Sequence, residues 1–260
     1  MASTPLTDVP RPRAVERTGP QRRRAHLAGF VRPTVVVGFL GLLLPVILVA
    51  GEAFVLHAPP RASLSAYYHS GMRTPYVTIL LAWSAVLFRH RVADGRLENR
   101  VSSVAGVAVA LIALCPTALP TGCRPGHGTT LPTWCPAPTR LQLRLGEGLL
   151  QAVHLGATYV CIPCMLLLAI LFAVREGKGD RDGEPASWAS WGSFHTRWVA
   201  VMTLALTFNG VTDVLGVWQD WSLTAAESVY GIAFSVSWCA NGVSTARGES
   251  RHSRDRSGRA

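Results

Sequence analysis

Lysine is almost missing from this chain of 260 residues: of its 25 basic residues, 24 are arginine. Charge of any kind is scarce, at 15%, where soluble domains usually carry about 25%. That deficit argues against an ordinary soluble domain and points to lipid. Acidic residues number 15, which leaves a net charge of +10. Such basicity can signal nucleic acid, but these arginines sit at the ends of apolar segments and form no stripe, so no nucleic-acid partner is expected. Period-two alternation is also missing, which excludes a transmembrane barrel. No internal repeat stands out.

What the chain has is long apolar runs. Six are candidate spans, near residues 34–56, 75–88, 101–119, 149–174, 198–218 and 225–242. The first would be about 34 Å long as a helix, enough to cross a hydrocarbon core of about 30 Å. The second, P-Y-V-T-I-L-L-A-W-S-A-V-L-F, reaches only about 21 Å and must borrow flanking residues or lie close to the membrane normal. The first run follows a basic segment, as a signal peptide would, but its apolar core is about twice too long for one and it is expected to remain. With the N-terminus inside, only Arg61, Arg73, Arg124, Arg140 and Arg144 of the 25 basic residues fall outside. An overall excess of four to one, with every inside segment holding more basic residues than any outside loop, is the positive-inside signature. The expected fold is therefore all-α: a polytopic bundle of six transmembrane helices over 34–242, in the plasma membrane, with both termini cytoplasmic.

The flanks differ. Residues 1–33 are rich in proline and arginine, and 243–260 are polar and aperiodic, so both read as disordered basic cytoplasmic tails. Either tail could also touch anionic lipid headgroups. Cys123 and Cys135 share the longest outside loop, an oxidising setting in which a disulfide could form. Cys161-Ile-Pro-Cys164 has redox-motif spacing but lies within an apolar run with no basic neighbour, which favours small packing residues around a proline kink.

Ionisable residues inside spans are costly and mark function. Glu52 lies late in the first run, His154 early in the fourth, Asp213 late in the fifth and Glu227 at the start of the sixth. All four fall in the outer half under this topology, and the inner half has no comparable set. The polar island S-L-S-A-Y-Y-H-S-G-M-R, residues 63–73, faces the same side and adds Ser65, Tyr67, Tyr68 and His69. Individually each has a plain reading: the tyrosines as interfacial anchors, the carboxylates reaching headgroup water, His154 bonded to a neighbouring helix. Together, from four different helices, they define a candidate outer-leaflet polar cluster, with Asp213 read as the deepest carboxylate.

That island, E-N-R-V-S-S-V-A-G-V-A-V-A-L-I-A-L-C-P-T and the closing V-Y-G-I-A-F-S-V-S-W-C-A-N-G resemble a family of uncharacterised bacterial multi-pass membrane proteins, over about Gly38 to Gly242. The resemblance implies helical spans and carries no activity. A second comparison is with the ceramidase-like superfamily of membrane metal hydrolases, which gather histidines, an aspartate and a serine near one membrane face to bind zinc and activate water. Ser65, His69, His154 and Asp213 match it in type and side. The chain departs from that pattern in having no pair of histidines along one late span. The expectation is thus a non-catalytic protein that binds or moves a small molecule or lipid, or serves as an assembly partner, with a polar pocket opening outward and no cofactor. The alternative is a metal-dependent hydrolase acting on a lipid headgroup, with zinc on His69, His154 and Asp213.

Overall fold

The computed structural model describes residues 35–36, 38–91, 95–119, 123, 135–179 and 193–257. The segment 1–33 read as a basic tail lies outside the described residues, as do residues 258–260. Everything regular among the described residues is helical, with no strand. Helix α1 (Gly38–Val55) ends in a π-turn, Gly51–Val55. A single 3₁₀ turn, Ser65–His69, leads into α2 (Arg73–Arg89). Then come α3 (Arg96–Leu114), the short α4 (Arg140–Leu145), α5 (Glu147–Gly179), α6 (Phe194–Leu215) and α7 (Ser222–Ser257).

Each of the six apolar runs falls on a helix. Four stretches are long and apolar enough to cross a membrane: Gly38–Val55, Arg96–Leu114, Glu147–Glu176 within α5, and Phe194–Leu215. The short second run gains Arg73, the last residue of the polar island, together with Thr74 and Arg89, and becomes a helix of 17 residues, about 26 Å. The third is displaced from its expected 101–119: helix starts at Arg96 and stops at Leu114. Pro116 sets that end, because the residue before a proline is pushed out of the helical region, and Cys115 is extended at φ −95° and ψ 112°. The α6 run ends where Gly216 takes the left-handed conformation at φ 65°. Ser193 caps the start of α6 by accepting from the Thr196 N–H. A capping box between Thr139 and Gln142 opens α4. Beyond Gly242 the chain read as a tail continues as helix to Ser257.

The helices alternate in direction, and neighbours in sequence are neighbours in space: α2 on α3, α3 on α5, α5 on α6 and α6 on α7, with α7 also reaching α5. Helix α1 closes the bundle against α2 and α7, where Gly41 faces Trp83 and Ser235, and Gly38 faces Trp238 and Cys239. Leu48, Tyr67, Leu168, Phe172, Met202 and Phe234 form the centre of the core. Helix α3 meets the backbone of α2 directly: a Cβ on Gly106 would lie 2.8 Å from the Phe88 nitrogen and 2.9 Å from the Ser84 oxygen. Ser84 and Ser102 tie the same pair by donating to the Gly106 carbonyl at 2.7 Å and the Leu87 carbonyl at 2.6 Å. Small residues and hydroxyls at such a crossing are how helices associate where lipid surrounds them. Pro163 sits inside α5, removing one N–H from its ladder.

Candidate functional site

The 3₁₀ turn and the ends of α1, α3 and α6 gather at one end of the bundle, here the Tyr67 end. The chain leaving α1 is held there by charge. Arg61 reaches Glu52 Oε1 through Nε at 2.7 Å and Nη2 at 2.6 Å. The Arg61 N–H donates to the Tyr67 hydroxyl at 3.3 Å, and its carbonyl accepts from Thr224 Oγ1 at 2.6 Å. Three residues on, the Leu64 N–H donates to Glu227 Oε2 at 2.6 Å. Glu52 is 0% exposed, and its Oε2 has no hydrogen-bond partner among the described residues. Burial pushes the Tyr67 phenol above its ordinary range, opposed by the hydrogen bond from Arg61.

A second set converges on the strand-like segment after α3. His69 Nε2 lies 2.8 Å from the Thr117 carbonyl, which also accepts from Gln142 Nε2 at 3.1 Å. His154 Nδ1 lies 2.8 Å from the Cys115 carbonyl. The Leu119 N–H donates to Glu147 Oε1 at 2.9 Å. Tyr68 donates to the Leu114 carbonyl at 3.4 Å and accepts from Arg73 Nη2 at 2.9 Å, with the guanidinium 4.4 Å above its ring. The logic is local: a helix end leaves its last carbonyls without partners, Pro116 stops them from being satisfied by continuation, and side chains from three other elements supply the donors. Burial holds the His69 imidazole below its ordinary value, Arg73 adds to the effect, and the Thr117 carbonyl opposes it. Neutral imidazole donating one N–H to a carbonyl fits that environment.

Between these sets lies a cavity of about 670 Å³, lined by all six long helices. Its deeper wall is apolar and aromatic, with Leu44, Leu80, Trp83, Val109 and Met165. Its polar groups lie mostly toward the Tyr67 end: Ser65, His154, Asn209, Asp213 and Glu227, with the tyrosines Tyr76 and Tyr230 deeper. Tyr230 donates its hydroxyl to the Ile162 carbonyl at 2.6 Å, beside Pro163. The lining residues that remain exposed include Leu155 and Tyr159 on α5, Asp213 on α6 and Leu223 on α7. The cavity therefore opens between α5 and the α6–α7 corner.

The structure divides the residues expected as one cluster. Ser65, His154, Asp213 and Glu227 line the cavity, whereas Glu52, Tyr67, Tyr68 and His69 hold the loops around it and do not line it. Asp213, expected as the deepest carboxylate, is exposed at the mouth, because the last turn of α6 runs past the packed core. Among the described residues no three His, Cys, Asp or Glu side chains are grouped to hold a metal, so His69, His154 and Asp213 do not form the zinc site considered from their types. Cys123 and Cys135 form a disulfide with a Cα–Cα distance of 5.3 Å. Cys161 is buried and its Sγ approaches Met165 Sδ at 3.5 Å.

Two features escape the sequence reading. Arg61, counted there only as a loop charge, is the partner of Glu52. The opposite end of the bundle also carries a buried polar set, against the expectation that it had none comparable. Glu98 is 4% exposed, forms an ion pair with Arg175, and lies 2.9 Å from His90 Nε2. Desolvation pushes His90 down to about 4, with Arg175 and Arg91 contributing, so its contact with Glu98 is a hydrogen bond from neutral imidazole. Glu176 accepts from Ser193 Oγ at 2.7 Å and from the Phe194 and His195 N–H groups at 3.1 Å. The one legible signal was Glu98 at the threshold of an apolar run. No family model, curated protein or solved structure matches the chain.

Proposed function

We propose that this chain is an integral plasma-membrane protein of six spans with both termini cytoplasmic, and that it binds a small apolar or amphipathic molecule, or a lipid, without chemically altering it. The cavity of about 670 Å³ carries this reading. Its size falls within the range of ligand sites, roughly 300–1,000 Å³, and it pairs an apolar wall with a few polar groups at one end, as such sites do. In this reading α2 and α7 complete the six spans, and the cavity mouth faces outward. Support for the orientation is the distribution of arginine: the Tyr67 end receives Arg61, Arg73, Arg140 and Arg144, while the other loops and tails hold most of the rest. The basic tails would rest against anionic headgroups. The multi-pass family suggested by sequence fits the same picture.

Two experiments test it. Single-cysteine variants at Ser70 and at Arg91, which is exposed in the connection between α2 and α3, labelled with a membrane-impermeant maleimide in intact cells, should react only at Ser70; labelling at Arg91 alone would reverse the orientation. For binding, the purified protein in lipid nanodiscs should enhance the fluorescence of the neutral probe N-phenyl-1-naphthylamine saturably over empty nanodiscs. Gly231 lines the cavity, and a Cβ there would meet nothing within 4 Å. Gly231→Phe should therefore fill the space and abolish the signal; an unchanged signal would remove the cavity as the binding site.

A further inference from the structure

The chain is strongly basic overall, yet no arginine or lysine is among the described residues that line the cavity. The charged groups that do line it are both carboxylates, Asp213 at the mouth and Glu227 further in. Glu227 spends one oxygen on the Leu64 N–H, which leaves the carboxylate with further acceptor capacity. Across the cavity stand the rings of Tyr76, Trp83 and Tyr230. Aromatic faces attract cations, most strongly where water is excluded, and they also cover apolar ligand surface. An anion entering here would meet the Asp213 carboxylate and the Glu227 carboxyl and, among the described lining residues, no basic side chain; a zwitterionic phospholipid headgroup would find no cationic partner there for its phosphate. A cation would meet complementary charge at the mouth and aromatic faces behind it.

We infer that the cavity takes an organic cation with an apolar body, a protonated amine or quaternary ammonium head carried on an aromatic or alkyl frame. The head lies against Asp213 and Glu227, and the body packs on Trp83, Leu80 and Met165. The opening beside Tyr159, which is 75% exposed, gives such an amphiphile a route from the lipid phase, where its apolar part partitions. This inference rests on the proposed binding function and adds the sign of the ligand's charge.

Tetraphenylphosphonium and tetraphenylborate are nearly the same shape and opposite in charge, so they isolate that sign. Binding of each to the full-length protein in nanodiscs of neutral lipid would be measured by equilibrium dialysis against empty nanodiscs. The cation should bind saturably and the anion should not. Asp213→Asn together with Glu227→Gln should weaken the cation about tenfold or more. Glu227→Gln keeps an acceptor for Leu64, and Asp213→Asn alone, at an exposed position, gives a variant whose folding is not at stake. Equal or tighter binding of the anion, or unchanged cation binding in both variants, overturns the cation assignment while neutral-probe binding keeps the cavity reading standing. If neither ion nor the neutral probe binds, both fall.

Discussion

Glu227, at the start of α7, accepts the backbone N–H of Leu64 at 2.6 Å across 163 positions of sequence. With Thr224 on the Arg61 carbonyl, it fixes the loop leaving α1 to the far end of the chain. Glu227→Ala would leave the Leu64 N–H without this acceptor, at a cost of about 1–3 kcal/mol, whereas Glu227→Gln retains a carbonyl oxygen and should cost less. Urea or SDS titration of the purified protein, followed by tryptophan fluorescence, should rank parent, Gln and Ala in that order. Equal midpoints for Gln and Ala would mean that the hydrogen bond contributes nothing.

The pair Glu52 and Arg61 should be more costly to break than to replace. Arg61→Ala strands a carboxylate that is 0% exposed, a loss of about 3 kcal/mol, at the low end because Arg61 itself is partly open to solvent. Glu52→Leu with Arg61→Met removes both charges and should recover most of that loss. The same titrations on the two single variants and the double give the coupling; a double variant as unstable as Arg61→Ala would show that the pair's charge is not what holds the loop.

His90 makes stability depend on acidity. Its folded-state value is pushed down to about 4 from an ordinary 6.5, so between those values the unfolded chain binds a proton that the folded chain refuses. Stability is therefore full above about pH 6.5 and falls as pH drops toward 4, by up to roughly 3 kcal/mol at the lower limit. His69, displaced in the same direction, adds to the slope. His90→Gln should flatten the curve of melting temperature against pH between 7 and 5. A parallel curve for that variant would assign the dependence elsewhere.

Gly106→Val should be clearly destabilising, since its side chain would press on the backbone of α2 at Phe88 and Ser84. Overpacking of this kind typically costs 1–3 kcal/mol or more. Gly156→Ala and Gly210→Ala, where a Cβ meets nothing within 4 Å, serve as neutral controls. The fraction remaining monodisperse after heating, read by size-exclusion chromatography, separates the three.

The six helices are legible in the sequence because a run of apolar residues long enough to cross lipid has few other ways to fold. Their ends are less so. Arg96 to Arg100 is four-fifths polar and reads as loop, yet it forms the first turn and a half of α3 and buries Glu98; hydropathy cannot distinguish a polar helical turn from a connection. The residue types of the Tyr67 end are legible too, since ionisable groups beside lipid are rare. Their directions are not. That His69 and His154 would both turn to carbonyls at Cys115 and Thr117 depends on Pro116 breaking α3 at that point and on where α5 passes, which is a tertiary matter. Arg61 escapes for a related reason: nine residues from Glu52, it meets its partner only because the chain doubles back after the π-turn.

Thr117 and its neighbours receive bonds from the 3₁₀ turn, from α4 and from α5 at once. Connectors that share one set of anchors cannot loosen singly: freeing the turn at His69 removes a restraint that also sets where Gln142 and His154 find their acceptors. Rearrangement on this side of the molecule should thus be concerted, with amide protons in the 65–69 turn and at the start of α5 exchanging at a common rate.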